Sequence, residues 1–204
     1  MEFKVFPATQ SKPAKRFYIP QGSKSLAAKL VRQMKGRCFY KGAIEPGDTI
    51  VISQSQLTKK QNSKVADAVK QGALAVYLEL QPTQYNIFGR KVQVDSCGMG
   101  DRHFVSRATG HRLVNDFEPD DFRFWYDSSV GYPTPILETV LTADQWDVIL
   151  QSGNGDWRSD WHNYPVGLEK RLGKGTVRIS QVKLLNRLDA NPVAAIFAER
   201  LLSI

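Results

Sequence analysis

The sequence predicts an α/β protein: an open, mostly parallel sheet flanked by helices, with an irregular aromatic-rich insertion. Three observations carry this. Asp48 to Ser53 and Ala73 to Leu80 are short, apolar runs with buried-strand character. A helical pattern lies between them, so the unit calls for a parallel, right-handed crossover. After a long stretch of turn formers, further strands and a closing helix complete an α/β terminus.

Taken in order, residues 1–22 hold Pro7, Pro13 and Pro20 and scattered basic residues, and are expected to be a linker or an edge segment, with Phe3 and Val5 as edge-strand candidates. Residues 23–204 are expected to form a single α/β domain. Ser23-Lys24-Ser25 supplies a serine cap for a helix from Leu26 to Met34, whose apolar positions 26, 27, 30, 31 and 34 share one face; Gly36 is its expected stop. Thr58 caps a second helix carrying Val65, Ala68, Val69 and Gly72. Residues 81–135 form the insertion, with short strands expected at His103–Ser106 and Phe122–Trp125. Regular pattern returns at Ile136–Leu141. Trp146 to Gly153 predicts a strand ending in a loop. Val166–Leu172 and Thr176–Val182 predict a hairpin about Gly173-Lys174-Gly175. Asn191 as cap and Pro192 at the first helical position open a last helix bearing Val193, Ile196, Phe197 and Leu201.

At 204 residues the chain can bury one good core. Its 42% hydrophobic and 24% charged residues are ordinary for a globular domain. No apolar run approaches the ~18 residues of a membrane span, so no membrane partner is expected. Met1 to Pro7 lacks the pattern of a signal peptide, which leaves the compartment open. The net charge of +8 is spread along the whole chain, with short clusters at Lys12–Arg16 and Glu169–Arg171. A scattered excess marks a solvated surface and argues against a nucleic-acid partner. Cys38 and Cys97 are far apart and outside any CxxC pattern, so no metal site and no cofactor are expected; both are expected to be buried thiols.

Strand, glycine turn, strand, Asn186-Arg187-Leu188-Asp189-Ala190-Asn191-Pro192 and closing helix together resemble the C-terminal tail of family 2 glycoside hydrolases, the β-galactosidase and β-glucuronidase relatives. The resemblance runs from about Lys41 onward. It is strongest over Asp48–Leu80, over His103–Arg107 through His111–Val114 to Pro119–Trp125, and over Gly173–Leu202. It implies a flavodoxin-like domain shaped like a class I glutamine amidotransferase, not known for that chemistry. It also implies that this chain is a C-terminal accessory module of a longer enzyme. The implied partners are the other domains of that enzyme, with a homo-oligomer as a further expectation.

The amidotransferase shape implies a Gly-x-Cys-x-Gly elbow and a late His-x-Glu. The strand that should carry the elbow, Leu74 to Leu80, leads into Gln81-Pro82-Thr83 with no cysteine. Ser96-Cys97-Gly98-Met99-Gly100 has Asp95 where the motif wants glycine, and none of the three histidines begins His-x-Glu. A thiolate nucleophile needs a base and an orienting group, so a stand-alone hydrolase using Cys97 is the lesser alternative. Glycoside hydrolysis needs two flanking carboxylates; Asp120-Asp121 are more simply a turn or cap. No catalytic residue is therefore expected in this chain. One cluster has the ingredients of a sugar or domain contact: Asn154, Asp156, Trp157, Arg158, Trp161 and His162 combine aromatic faces with planar polar groups, in a loop after a strand. A carbohydrate-binding module acting through Trp157 and Trp161 is the other alternative. The same two tryptophans could simply anchor a long loop.

Overall fold

A computed structural model describes residues 16–96, 109–155 and 161–204. The first half holds β1 (Phe17–Tyr18), α1 (Leu26–Gln33), β2 (Cys38–Phe39), β3 (Thr49–Ser53), α2 (Lys59–Gln71) and β4 (Leu74–Leu78). β5 (Thr83–Ile87), β6 (Arg90–Ser96), a 3₁₀ turn at Pro119–Phe122, β7 (Phe124–Asp127), β8 (Tyr132–Pro135) and β9 (Thr139–Thr142) follow. The last part holds β10 (Asp147–Gly155), β11 (Trp161–Leu172), β12 (Gly175–Ser180) and α3 (Pro192–Leu202).

The main sheet has seven strands in the order β10-β11-β12-β4-β3-β1-β2. From β12 to β2 every pairing is parallel, while β10 and β11 extend one side as an antiparallel hairpin. Alternation along the strands creates two cores. Val51, Val76 and Leu78 face one layer with Leu30 and Val31 of α1 and Phe197 and Leu201 of α3. Ile50, Ile52, Ala75 and Tyr77 face the other with Val65 and Val69 of α2. Helices thus cover both faces, which explains why β3 and β4 are buried along their whole length.

Both expected helix starts are present. Ser25 Oγ accepts the Ala28 N–H at 3.2 Å. Thr58 forms a reciprocal capping box with Gln61. The exit of α1 differs from expectation. Lys35, not Gly36, takes the left-handed conformation at φ 59°. Gly36 is needed for space, because a Cβ there would meet Val31 Cγ1 at 2.7 Å and the Phe17 ring at 2.8 Å. Asn191 occupies the N-cap position of α3 without capping it. Its carboxamide instead grips the Tyr126 backbone, Oδ1 taking the N–H at 3.0 Å and Nδ2 donating to the carbonyl at 2.9 Å.

Three further expectations are corrected. Within residues 1–22, Phe17–Tyr18 are neither linker nor edge but an interior strand between β3 and β2. The insertion is more regular than its composition indicates. β5, β6 and β9 form a three-stranded sheet whose Tyr85, Ile87, Val92 and Val94 join the core on the α2 side. The run from Trp146 to Gly153, expected to end in a loop, is strand from Asp147 through Gly155 as β10. The expected strand at His103–Ser106 lies outside the described residues. The expected hairpin about Gly173–Gly175 is present as β11–β12, and its turn presses on the end of α2. A Cβ on Gly175 would lie 2.2 Å from both the Val69 and Ala73 carbonyl oxygens.

Candidate site at the carboxyl ends of the parallel strands

Open α/β sheets place ligands beyond the carboxyl ends of their strands, at the point where strand order reverses. Here that point lies between β1 and β3, and the protein's own side chains fill it. Gln21 Nε2 donates to the Ser53 carbonyl at 2.6 Å and to Ser55 Oγ at 2.9 Å, and its Oε1 takes the Ser53 N–H at 2.7 Å. Ser53 Oγ accepts the Ala27 N–H at 3.1 Å. That amide, in the first turn of α1, is one of those an anion would use.

The open space lies one strand further along. β3 exits into Gln54 at φ 62° and β4 into Glu79 at φ 49°, both left-handed and neither glycine. Backbone bonds over-determine these turns. Gln54 N–H donates to the Leu78 carbonyl at 3.0 Å, Glu79 N–H to the Ser180 carbonyl at 2.9 Å and Gln81 N–H to the Gln54 carbonyl at 3.2 Å. The buried Gln181 side chain accepts the Leu80 N–H at 2.8 Å. The ends of β3, β4 and β12 are therefore stitched into one rigid rim.

Against this rim lies a cavity of about 350 Å³, with Gln54, Glu79, Gln81, Ser96, Glu138 and Lys183 among its lining residues. Lys183 forms an ion pair with Glu138 across it. Glu79 is partly buried. Burial pushes its carboxyl up to about 7, against the pull of Lys183, Arg187 and the Leu184 amide. A carboxyl that titrates near neutrality inside a cleft is a recurrent mark of functional sites. A larger cavity, about 580 Å³, lies where the strands begin, beside Phe17, Gly36 and Leu202.

A second charged cluster sits inside the fold. Glu169 on β11 is directly opposite Arg178 on β12 and accepts from its Nε at 2.6 Å. Arg112 Nη2 reaches the same carboxylate at 2.9 and 3.0 Å, and His111 Nε2 lies 3.5 Å away. Arg178 Nη1 also donates to the carbonyls of Arg200, Leu201 and Ser203, closing the end of α3. Burial raises the Glu169 pKa, but Arg178 and Arg112 outweigh it and hold the carboxyl below its ordinary value. Burial likewise lowers the His111 pKa despite the neighbouring Glu169. With its oxygens committed to two guanidinium groups, Glu169 is a structural anchor rather than a base.

Of the sequence-predicted contact residues, Asn154 lies on β10 opposite His162 on β11, and Trp161 opposite Gly155. His162 is exposed, with its ring 6.2 Å from that of Tyr164. The expected loop is therefore flanked by two paired strands. Asp156, Trp157 and Arg158 lie outside the described residues, as do Cys97 and His103. Cys38 is a half-buried free thiol whose pKa is raised by burial. Asp120 pairs with Arg123 at 2.9 Å, and Asp121 Oδ2 accepts the Glu118 N–H at 2.8 Å, so this pair serves a turn. Among the described residues no group of three or more His, Cys, Asp or Glu could hold a metal ion, and no helix is long and apolar enough to cross a membrane. Sequence reasoning passed over Glu79. The signal was an acidic residue interrupting the apolar run Ala73–Leu80, at the strand's carboxyl end.

The same fold occurs in solved structures. The β-galactosidase of Rahnella sp. R3 matches with a TM-score of 0.55 at 14% identity, over 92% of this chain and 30% of that one. The β-galactosidase of Bacillus circulans sp. alkalophilus matches with 0.52 at 12%, over 94% and 31%. A cytoplasmic protein of Salmonella typhimurium LT2 matches with 0.51 at 13%, over 93% and 99%. The chain thus spans about a third of the length of these β-galactosidases and nearly all of the Salmonella protein. No protein-family model matches the sequence, and no curated protein matches it.

Proposed function

We propose that this chain is a non-catalytic accessory domain of a larger glycoside hydrolase of the family 2 kind, supporting the catalytic barrel through interdomain or oligomer contacts. The observation that carries this is the coverage: nearly all of this chain matches about a third of each β-galactosidase. The flavodoxin-like, amidotransferase-like assignment belongs to the same proposal. The parallel strands run β2-β1-β3-β4-β12, the 2-1-3-4-5 order of flavodoxin-type sheets. The turn after β4, where an amidotransferase would carry its nucleophile, is left-handed at Glu79 and presents a carboxylate. That substitution favours a domain that keeps the shape without the thiol chemistry. Residues 23–204, with β1 added, form the domain.

An antibody raised against the chain tests this in cells of its source. The expected band is a polypeptide about three times this length, containing a barrel with two catalytic glutamates, and the isolated chain hydrolyses no nitrophenyl glycoside. A native protein of this length with amidase or glycosidase activity lost in Cys97→Ser overturns the proposal in favour of the Cys97 alternative. The placement of Asn154, exposed His162 and Trp161 at the far end of the β10–β11 hairpin favours a contact role for that hairpin, with sugar or with a neighbouring domain. Tryptophan fluorescence titrated with oligosaccharides tells these apart.

A further inference from the structure

We propose that the cavity at the ends of β3, β4 and β12 is a binding site for a neutral, polyhydroxylated small molecule of monosaccharide size, with Glu79 as its central hydrogen-bonding group. This site is distinct from the β10–β11 hairpin and does not depend on the accessory-domain proposal.

Size comes first. A cavity of about 350 Å³ is at the small end of ligand pockets, which run from about 300 to 1,000 Å³. Chemistry selects the class. The lining includes several groups that can both donate and accept: the carboxamides of Gln54 and Gln81 and the hydroxyls of Ser96 and Thr139. Hydroxyl groups of a polyol need that double capacity, whereas an anion needs donors alone. The formal charges of Glu138 and Lys183 are paired with each other, so no net positive field invites an anion. Among the described residues the apolar lining is limited to Leu80 and Pro82, with no aromatic platform, which disfavours a nucleobase or an acyl chain. Glu79 completes the set. Close to neutrality its carboxyl exchanges between donor and acceptor forms. The left-handed turns at Gln54 and Glu79 hold the rim in place before any ligand arrives, which lowers the cost of binding.

The experiment is a titration of the purified chain with galactose, glucose, mannose and glucuronate at pH 6 and 8, followed by amide NMR and by the ¹³C shift of the Glu79 carboxyl. The expected result is saturable binding of a neutral hexose that moves the Glu79 resonance. That binding weakens at least about tenfold in Glu79→Ala, weakens less in Glu79→Gln, and persists in Trp157→Ala. The carboxyl resonance of the unaltered protein keeps the test decisive if Glu79→Ala fails to fold. Absence of saturable binding by any neutral hexose, an unmoved Glu79 resonance, binding lost only in Trp157→Ala, or glucuronate binding tighter than the neutral sugars each overturns the proposal. None of these outcomes bears on whether the native polypeptide contains a barrel, so the two proposals fail separately.

Discussion

Glu169 and Glu79 are both drawn out of water by the same sheet, and they end in opposite states. Glu169, within the β11–β12 ladder, is bonded by two guanidinium groups and is held charged. Glu79, one residue past β4, is pulled on by Lys183 and Arg187, yet burial outweighs them and raises it to about 7. Burial alone therefore does not set the charge of a carboxyl; the partners do. The difference follows from position. A residue within a paired antiparallel ladder has a fixed neighbour opposite, and for Glu169 that neighbour is Arg178. A residue at a strand's exit faces whatever the loops leave open, and for Glu79 that is a cavity.

The largest effect belongs to Arg178. Arg178→Ala leaves Glu169 without its main partner and uncovers three carbonyls at the end of α3, and should cost about 3–5 kcal/mol in urea unfolding. A loss below about 1 kcal/mol would break the contrast. The pH dependence has a definite sign. The folded-state pKa of Glu169 is depressed, so its stabilisation is present above the ordinary carboxylate range and lost as pH falls through the folded value. The deficit of Glu169→Gln should accordingly shrink on acidification.

Glu79 reverses that sign. Its folded pKa is raised from 4.5 to about 7. Below 4.5 both folded and unfolded chains are protonated and nothing is lost. Between the two values the unfolded chain ionises first, and the folded state is destabilised increasingly until about pH 7. Glu79→Gln should therefore be neutral at pH 4 and stabilising by up to about 3 kcal/mol at pH 8, read from thermal melts across that range. A smaller effect sharpens the comparison. Lys183→Met removes a charge that holds Glu79 down, so the Glu79 midpoint, followed by ¹³C NMR, should rise above about 7. The smallest is at Cys38, where burial outweighs Tyr40 and Arg32 in raising the thiol pKa. Its reaction with a thiol reagent at pH 8 should be slower in the folded protein than in urea.

Which parts of this were legible depends on how local the cause is. The βαβ unit from Thr49 to Leu78 was plain because β-branched strands, the Thr58 cap and helical spacing at Val65, Ala68 and Val69 are all written within a few residues of each other. The β11–β12 hairpin was plain for the same reason. β1 was not, because two residues between prolines and basic side chains carry no period; only pairing to β2 and β3 makes them a strand. β5–β6 could have been found, since Tyr85, Ile87, Val92 and Val94 alternate about Phe88-Gly89, but the surrounding turn formers hid the pattern. Asn191 shows the opposite error. Its position is that of a cap, and a backbone 65 residues away claims its side chain. The Glu79 cavity was illegible because its walls come from the turns after β3 and β4, the end of β6, the start of β9 and the chain after β12, which meet only in the folded sheet.

Position in the sheet also orders events on the ribosome. β3, α2 and β4 are synthesised early, but β4 gains its second neighbour only when β12 emerges about a hundred residues later. Until then β4 offers an open row of backbone donors and acceptors, the kind of edge that recruits other chains. The apolar face that awaits α3 is uncovered for the same interval. A nascent chain stalled before Gly175 should therefore be the form that chaperones hold and that aggregates, and emergence of β12 and α3 should end that exposure.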